Sequence, residues 1–243
     1  MSDSMGTRKI LDLLDLTLLD LGANEEDLNE ICELASRHRT AAVCVFPEHA
    51  EFVKGRIKPA ISLALVAGGF PRGSESPDEI FDAVCEAVSK GADEVDCVLE
   101  PDDDPSFPGE AEIAKLIAMR EASQGLILKV ILEVPLLDER RLRAVTRMAL
   151  AAGADFVKSC TGKRGGCSDE AAAIMAEEVS RHCLSFEGSP GVKLSGGISN
   201  REDAERLISI VEGKDGSITG KGRLRIGASS LMRELVDGGL GRN

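Results

Sequence analysis

Apolar residues along this chain fall into two alternating rhythms. Eight short, near-continuous apolar runs, Ile10–Leu16, Ala41–Phe46, Ile61–Val66, Glu94–Leu99, Leu126–Glu133, Ala154–Ser159, Gly191–Leu194 and Leu224–Gly227, have the pattern of strands buried on both faces of a parallel sheet. Between them apolar positions return every three or four residues, as in helices that bury one stripe. The helical stretches carry their own punctuation. Ser76-Pro-Asp-Glu79 reads as a capping box with proline at the first helical position, followed by the stripe Ile80, Val84, Ala87 and Val88, and Gly91 stops it. Asp138 opens the stripe Leu142, Val145, Ala149 and Ala152 before Gly153, and Asn24, Ser168 and Asn200 are further N-caps.

Eight βα units in 243 residues, with no long polar linker, predict a single-domain α/β protein spanning residues 1–243, a (β/α)8 TIM barrel. In such a barrel the functional groups stand at the C-terminal ends of the strands. A doubly wound open sheet is the rival, but no G-x-G-x-x-G follows the first run, and polar residues recur at many strand ends rather than at one switch point.

Composition narrows the function. The formal charge of −13 disfavours a nucleic-acid binder, although a small anion can still be held where positive groups converge. No window approaches 18 uninterrupted apolar residues, and MSDSMGTRKI lacks a secretory pattern, so a soluble cytoplasmic protein with no membrane partner is expected. The seven cysteines include no Cys-x-x-Cys pair, as expected of reduced thiols. His38, His49 and His182 lack metal-ligand spacing, and no metal or cofactor is expected. Gly216–Lys221 is one residue short of a phosphate-binding P-loop and precedes a strand instead of following one. The acidic stretch from Glu100 to Pro105 reads as a solvated turn.

Within the apolar runs and the turns after them, the residues out of place are Asp15, Cys44, Asp96, Lys129, Lys158 and Lys193. Lys158 lies in ADFVKSCTGK, where alternation puts Phe156, Lys158 and Cys160 on one face and Asp155, Val157 and Ser159 on the other. Burial disfavours an ammonium and lowers its pKa, which makes a lysine a nucleophilic amine near neutral pH. Three lysines on neighbouring strands repel one another, so at least one is expected to be neutral, with Asp15 and Asp96 as compensating carboxylates. For Asp15 and Lys129 a purely structural ion pair is the alternative. Glycine-rich turns follow the last three strands: Thr161-Gly162-Lys163, Ser195-Gly196-Gly197 and Gly227-Ala-Ser-Ser230, the last opening the final helix. Together they offer backbone N–H groups to a phosphate; singly, each is an ordinary glycine turn.

These residues resemble the deoxyribose-phosphate aldolases, lysine-dependent aldolases on a (β/α)8 barrel. The resemblance runs from about Leu11 to Leu231 through LLDLTLLD, AAVCVF, GGFPRG, GADEVDCV, LKVILE, ADFVKSCTGK, GVKLSGG and RIGASSL, in that order. It implies that Lys158 forms an imine, that Lys193 lowers the pKa of Lys158, and that Asp96 moves protons. It also implies that Gly162, Lys163, Gly196, Gly197, Gly227, Ser229 and Ser230 surround a phosphate, with Asp15, Thr17, Cys44, Lys129 and Thr161 as further substrate-binding positions. The implied reaction is reversible cleavage of 2-deoxyribose 5-phosphate to glyceraldehyde 3-phosphate and acetaldehyde, without a cofactor; a homo-oligomer is open. This chain departs from the family pattern in Ser159-Cys160, where a Thr/Ser pair is usual, in Val134-Pro135 for Thr-Gly, and in Leu194-Ser195 for Pro-Ala. Some members use a C-terminal tyrosine, and this sequence contains none. An aldolase for another phosphorylated sugar, or a sugar-phosphate binder that makes no imine, would share the barrel and the glycine turns.

Overall fold

In the computed structural model, which describes residues 2–74 and 76–237, eight parallel strands close into a barrel in sequence order, with β8 pairing β1. The strands are β1 (Leu14–Leu18), β2 (Ala42–Val45), β3 (Ser62–Ala67), β4 (Glu94–Val98), β5 (Ile127–Ile131), β6 (Phe156–Lys158), β7 (Gly191–Ser195) and β8 (Leu224–Ala228). Around them run α1 (Ser2–Leu13), α2 (Glu25–His38), α3 (Ala50–Lys54), α4 (Pro77–Ser89), α5 (Glu110–Ala122), α6 (Glu139–Ala151), α7 (Asp169–Ser185), α8 (Arg201–Lys214) and α9 (Leu231–Asp237). The expected (β/α)8 barrel is therefore the observed fold. No helix among the described residues is long and apolar enough to cross a membrane.

Each expected cap is made. Asn24 forms a full capping box with Asp27, and Ser76, Asp138, Ser168 and Asn200 each accept a backbone N–H three residues on. At Ser76 the reciprocal half is diverted, because the Glu79 carboxylate accepts from the Ser74 hydroxyl instead. Two expectations are corrected. Ile10–Leu13 is the end of α1, not the start of the first strand: Ile10, Leu13 and Leu14 are all buried, so helix and strand join in one apolar run that shows no seam. Val88, placed on the buried stripe of α4, is exposed, while Ile80, Val84 and Ala87 are buried.

The core has two layers. Between strands and helices lies a continuous apolar cluster that takes Leu63, Val95, Val130, Val157 and Val192 from the strands and Ile80, Leu116, Val145, Val179 and Leu207 from the helices. Inside the barrel, where branched aliphatic side chains usually stack, only Ala42, Cys44, Ala64 and Val66 form an apolar group, on the β2–β3 side. Much of the remaining interior is charged, because alternation turns Glu94 and Asp96 inward while Val95 and Cys97 face the helices; Val98, Ile131 and Phe156 share the inward face.

Candidate active site

Seven ionisable side chains meet inside the barrel, contributed by β1, β4, β5, β6, β7 and β8. Register sets them side by side: Asp96 is paired with Lys129, and Lys158 with Lys193. Lys129 Nζ lies 2.9 Å from Asp15, 2.5 Å from Glu94 and 3.0 Å from Asp96. Lys193 Nζ is 2.6 Å from both Asp15 and Asp96, and Lys158 Nζ is 2.6 Å from the same Asp96 Oδ2. Arg225 closes the floor, with 2.5 Å to Asp15 and 2.9 Å to Glu94. Asp15, Asp96, Lys129 and Lys193 are wholly buried, and Lys158 alone among the three lysines reaches the cleft above.

The ion count decides the protonation states. Three carboxylates face four potential cations, so full ionisation leaves one positive charge in excess in a medium where an uncompensated neighbour at 4 Å costs about 4 kcal/mol at an effective dielectric of 20. Burial works against every charge here. At Asp15 and Asp96 the lysines outweigh it and hold both carboxyls well below the usual range; Glu94 is lowered in the same way. Burial is likewise overcome at Lys129 and Lys193 by the carboxylates around them, and their pKa values rise. Lys158 goes the other way. Burial lowers its pKa, its single carboxylate partner Asp96 resists, and the Lys193 ammonium adds to the fall. The excess proton is thus most easily lost from Lys158. Cys44 Sγ stands 3.9 Å from Asp96, and burial with that negative neighbour pushes its thiol up to about 11.

Above Lys158 opens a cleft of about 350 Å³. Of the sequence candidates it brings together Thr17, Lys158, Thr161, Gly162, Lys163, Gly196, Gly197, Gly227, Ser229 and Ser230, whereas Asp15, Cys44, Asp96, Lys129 and Lys193 lie beneath its floor. Gly162 and Gly196 hold φ of 78° and 88°, a left-handed backbone that brings the two loops into contact. Among the described residues, the N–H groups of Gly162, Gly196, Gly197, Ser229 and Ser230 are bonded to no other protein group, and all five residues line the cleft. Lys163 reaches across to the Leu19 carbonyl at 3.2 Å.

Sequence reading missed Glu94 and Arg225. Both stand at the N-terminal starts of their strands, where a charge is ordinarily solvated, yet their spacing of two from Asp96 and Gly227 places them on the inward face. It also missed a second set of ions at the rim. Arg164 spans Glu100 at 2.6 and 2.8 Å and Glu133 at 3.2 Å, and the buried Glu133 accepts the Thr161 hydroxyl at 2.7 Å. Glu100 is therefore no solvated turn residue: it also accepts the Gly73 N–H and ties the loops after β3, β4 and β6. Cys160 is a further correction. Strand pairing ends at Lys158, alternation lapses, and Cys160 packs into the outer apolar layer rather than beside Lys158. Residues 238–243, the stretch compared with the C-terminal tyrosine of some family members, lie outside the described residues.

The sequence profile of the DeoC/LacD family aldolases matches residues 10–231. Among curated proteins, deoxyribose-phosphate aldolase 2 of Bacillus licheniformis is 34% identical over 240 residues, covering 96% of this chain and 97% of the relative. Deoxyribose-phosphate aldolase of Finegoldia magna is 33% identical over 227 residues, covering 93% and 97%. Among solved structures, the tetrameric deoxyribose phosphate aldolase of Aeropyrum pernix superposes with a TM-score of 0.78 at 25% identity, covering 98% of this chain and 97% of that one.

Proposed function

The chain belongs to the DeoC/LacD family of aldolases, and from that premise we propose that it cleaves 2-deoxyribose 5-phosphate reversibly to glyceraldehyde 3-phosphate and acetaldehyde through an imine on Lys158. The observation that carries the reading is the fourth cation: of the three lysines inside the barrel Lys158 alone is pushed towards the neutral amine, and it is the one at the cleft floor.

The neutral Lys158 amine adds to the aldehyde carbon of the open-chain sugar. Loss of water from the carbinolamine gives a protonated imine, an electron sink that lets the C2–C3 bond break once the C3 hydroxyl gives up its proton. The departing aldehyde carries the phosphate, and hydrolysis of the remaining enamine, after protonation at carbon, returns acetaldehyde and the free amine. Asp96 touches the amine at 2.6 Å and is the proton carrier nearest the reacting atoms. Lys193, bound to the same carboxylate oxygen, keeps Asp96 ionised and Lys158 neutral. Asp15, Glu94, Lys129 and Arg225 hold that pair in place from below. The phosphate end rests on the N–H groups of the last three loops, with Lys163 as the local cation. The small phosphorylated sugar is the partner; nucleic acid and membrane are not part of the reading. A cytoplasmic enzyme of deoxyribonucleotide breakdown fits the unpaired thiols of the described cysteines, and a homo-oligomer fits the tetrameric relative.

A coupled assay for glyceraldehyde 3-phosphate released from 2-deoxyribose 5-phosphate tests the reaction. Borohydride reduction with substrate, followed by peptide mass spectrometry, tests the residue: an adduct is expected on Lys158. Active enzyme with an adduct on Lys129 or Lys193, or with none, rules the mechanism out.

A further inference from the structure

The roots of the two glycine loops after β6 and β7 are joined by a device that the chemistry above does not use. Parallel pairing of β6 with β7 stops in register at Lys158 and Lys193. Two serines then take over from the backbone. The Ser195 N–H donates to Ser159 Oγ at 2.8 Å, and Ser159 Oγ donates to the Ser195 carbonyl at 2.9 Å. Reciprocally, the Cys160 N–H donates to Ser195 Oγ at 3.3 Å, and Ser195 Oγ donates to the Cys160 carbonyl at 2.6 Å. Each hydroxyl thus satisfies both polar groups of a residue on the facing chain, the task a continued ladder would perform. Ser159, Cys160 and Ser195 are buried, so water does not substitute for these bonds. Each hydroxyl has a carbonyl within donating distance, the two Oγ atoms stand 3.5 Å apart, and Ser195 also lines the cleft, so the Ser159 variants, farther from the ligand, separate spacing from direct contact.

Immediately beyond this clasp the loops are at their limit of approach. A Cβ on Gly196 would stand 2.8 Å from the Gly165 carbonyl oxygen and 2.9 Å from Cys160 Cβ, and one on Gly162 would stand 3.8 Å from Gly196 Cα. The Cys167 N–H donates across to Gly196 O at 3.2 Å. Loops in such contact move together with their roots. Gly162, Gly196 and Gly197, whose N–H groups bond no other protein group, line the cleft beside this contact.

We propose that Ser159 and Ser195 are positioning residues that set the spacing of the two glycine loops, and with it the grip of the cleft on a phosphoryl group. The inference rests on the proposed function only in taking the cleft to hold a phosphorylated sugar. A merely stabilising clasp would affect phosphate and aldehyde ends alike, whereas a spacing device acts on the phosphate end.

Inorganic phosphate binding, measured by titration calorimetry, is the direct probe. Borohydride trapping of acetaldehyde on Lys158 reports the other end of the cleft. Ser195→Ala and Ser159→Val should bind phosphate at least 10-fold more weakly than wild type, with trapping reduced less than two-fold. Ser159→Thr has the shape of valine but keeps the hydroxyl, and should stay within two-fold of wild type on phosphate. Variants that bind phosphate as wild type does, or that lose phosphate binding and trapping in equal proportion, overturn the clasp. If Ser195→Ala fails to fold, the valine and threonine pair decides alone. Wild type that traps acetaldehyde but binds no phosphate overturns the proposed substrate together with the clasp, whereas wild type that binds phosphate no better than the variants overturns the clasp only.

Discussion

Replacing Lys193 by methionine should raise the pKa of Lys158, which burial and the Lys193 charge lower, and so favour its ammonium at neutral pH. The two lysines share one oxygen of Asp96 at 2.6 Å each, so twice that distance, about 5.2 Å, is the most that can separate their nitrogens. Two unit charges about 5 Å apart repel by about 3 kcal/mol at an effective dielectric of 20, or about two and a half pKa units. Methionine fills similar volume without the charge, and three carboxylates then face three cations, so a proton on Lys158 becomes part of a balanced set. The sign follows: the folded pKa of Lys158 rises, the active neutral form needs higher pH, and at pH 7 its population should fall by on the order of 100-fold. The assay is the rate of borohydride-trapped imine formation against pH, with kcat/KM for cleavage alongside. Its rising limb should move by about two units to higher pH, and activity should return at alkaline pH. An unmoved limb, or one displaced to lower pH, would refute the argument that the Lys193 charge holds Lys158 neutral.

Lys158→Arg should abolish imine trapping and cleavage by at least about 1,000-fold, since a guanidinium stays protonated; mass spectrometry of the reduced protein checks it. Ser229→Asp places a carboxylate where the proposed phosphate sits and should raise KM for 2-deoxyribose 5-phosphate by about 100-fold while cleavage of unphosphorylated deoxyribose changes much less; equal loss on both would put the phosphate elsewhere. Asp15→Asn leaves Lys129, Lys193 and Arg225 short of a partner and should cost about 3–5 kcal/mol of stability at pH 7, read from denaturant melts. The Asp15 carboxyl is depressed in the fold, so the stability it contributes is present above the unfolded pKa near 4 and is lost as pH falls below it. The variant should therefore show a shallower acid decline in melting temperature than wild type.

Most of the barrel and much of its charged interior were legible because a strand has period two. A lysine or aspartate in an apolar run must point inward or outward; Asp96, Lys129 and Lys193 each sit between residues committed to the helix layer, and Lys158 follows one, Val157. What was not legible depends on where regular structure stops. Glu94 and Arg225 occupy the starts of their strands, where the period of two gives the inward face but not whether the strand is already enclosed by the barrel at that level. Cys160 follows the last paired residue of β6, so alternation carried one step too far placed it on the wrong face. Ile10–Leu13 and Leu14–Leu18 form one unbroken apolar run, and only the packing of α1 separates them. The serine clasp has no linear signature at all, because a hydroxyl bonds the neighbouring strand only where backbone pairing has lapsed.

The charged interior also bears on how the chain assembles. Asp15, Glu94 and Asp96 all belong to β1–β4, and Lys129, Lys158, Lys193 and Arg225 all belong to β5–β8. The charges that the first half of the chain, which leaves the ribosome before the second, turns into the barrel beside its apolar group are all acidic, and those of the second half are all basic. Two first halves repel, and so do two second halves, so a half-barrel cannot complete itself with its own kind. Only the complementary half neutralises it. The ions that set the protonation of one lysine thereby also select against mispaired half-barrels and tie closure of the ring to the arrival of the last strand.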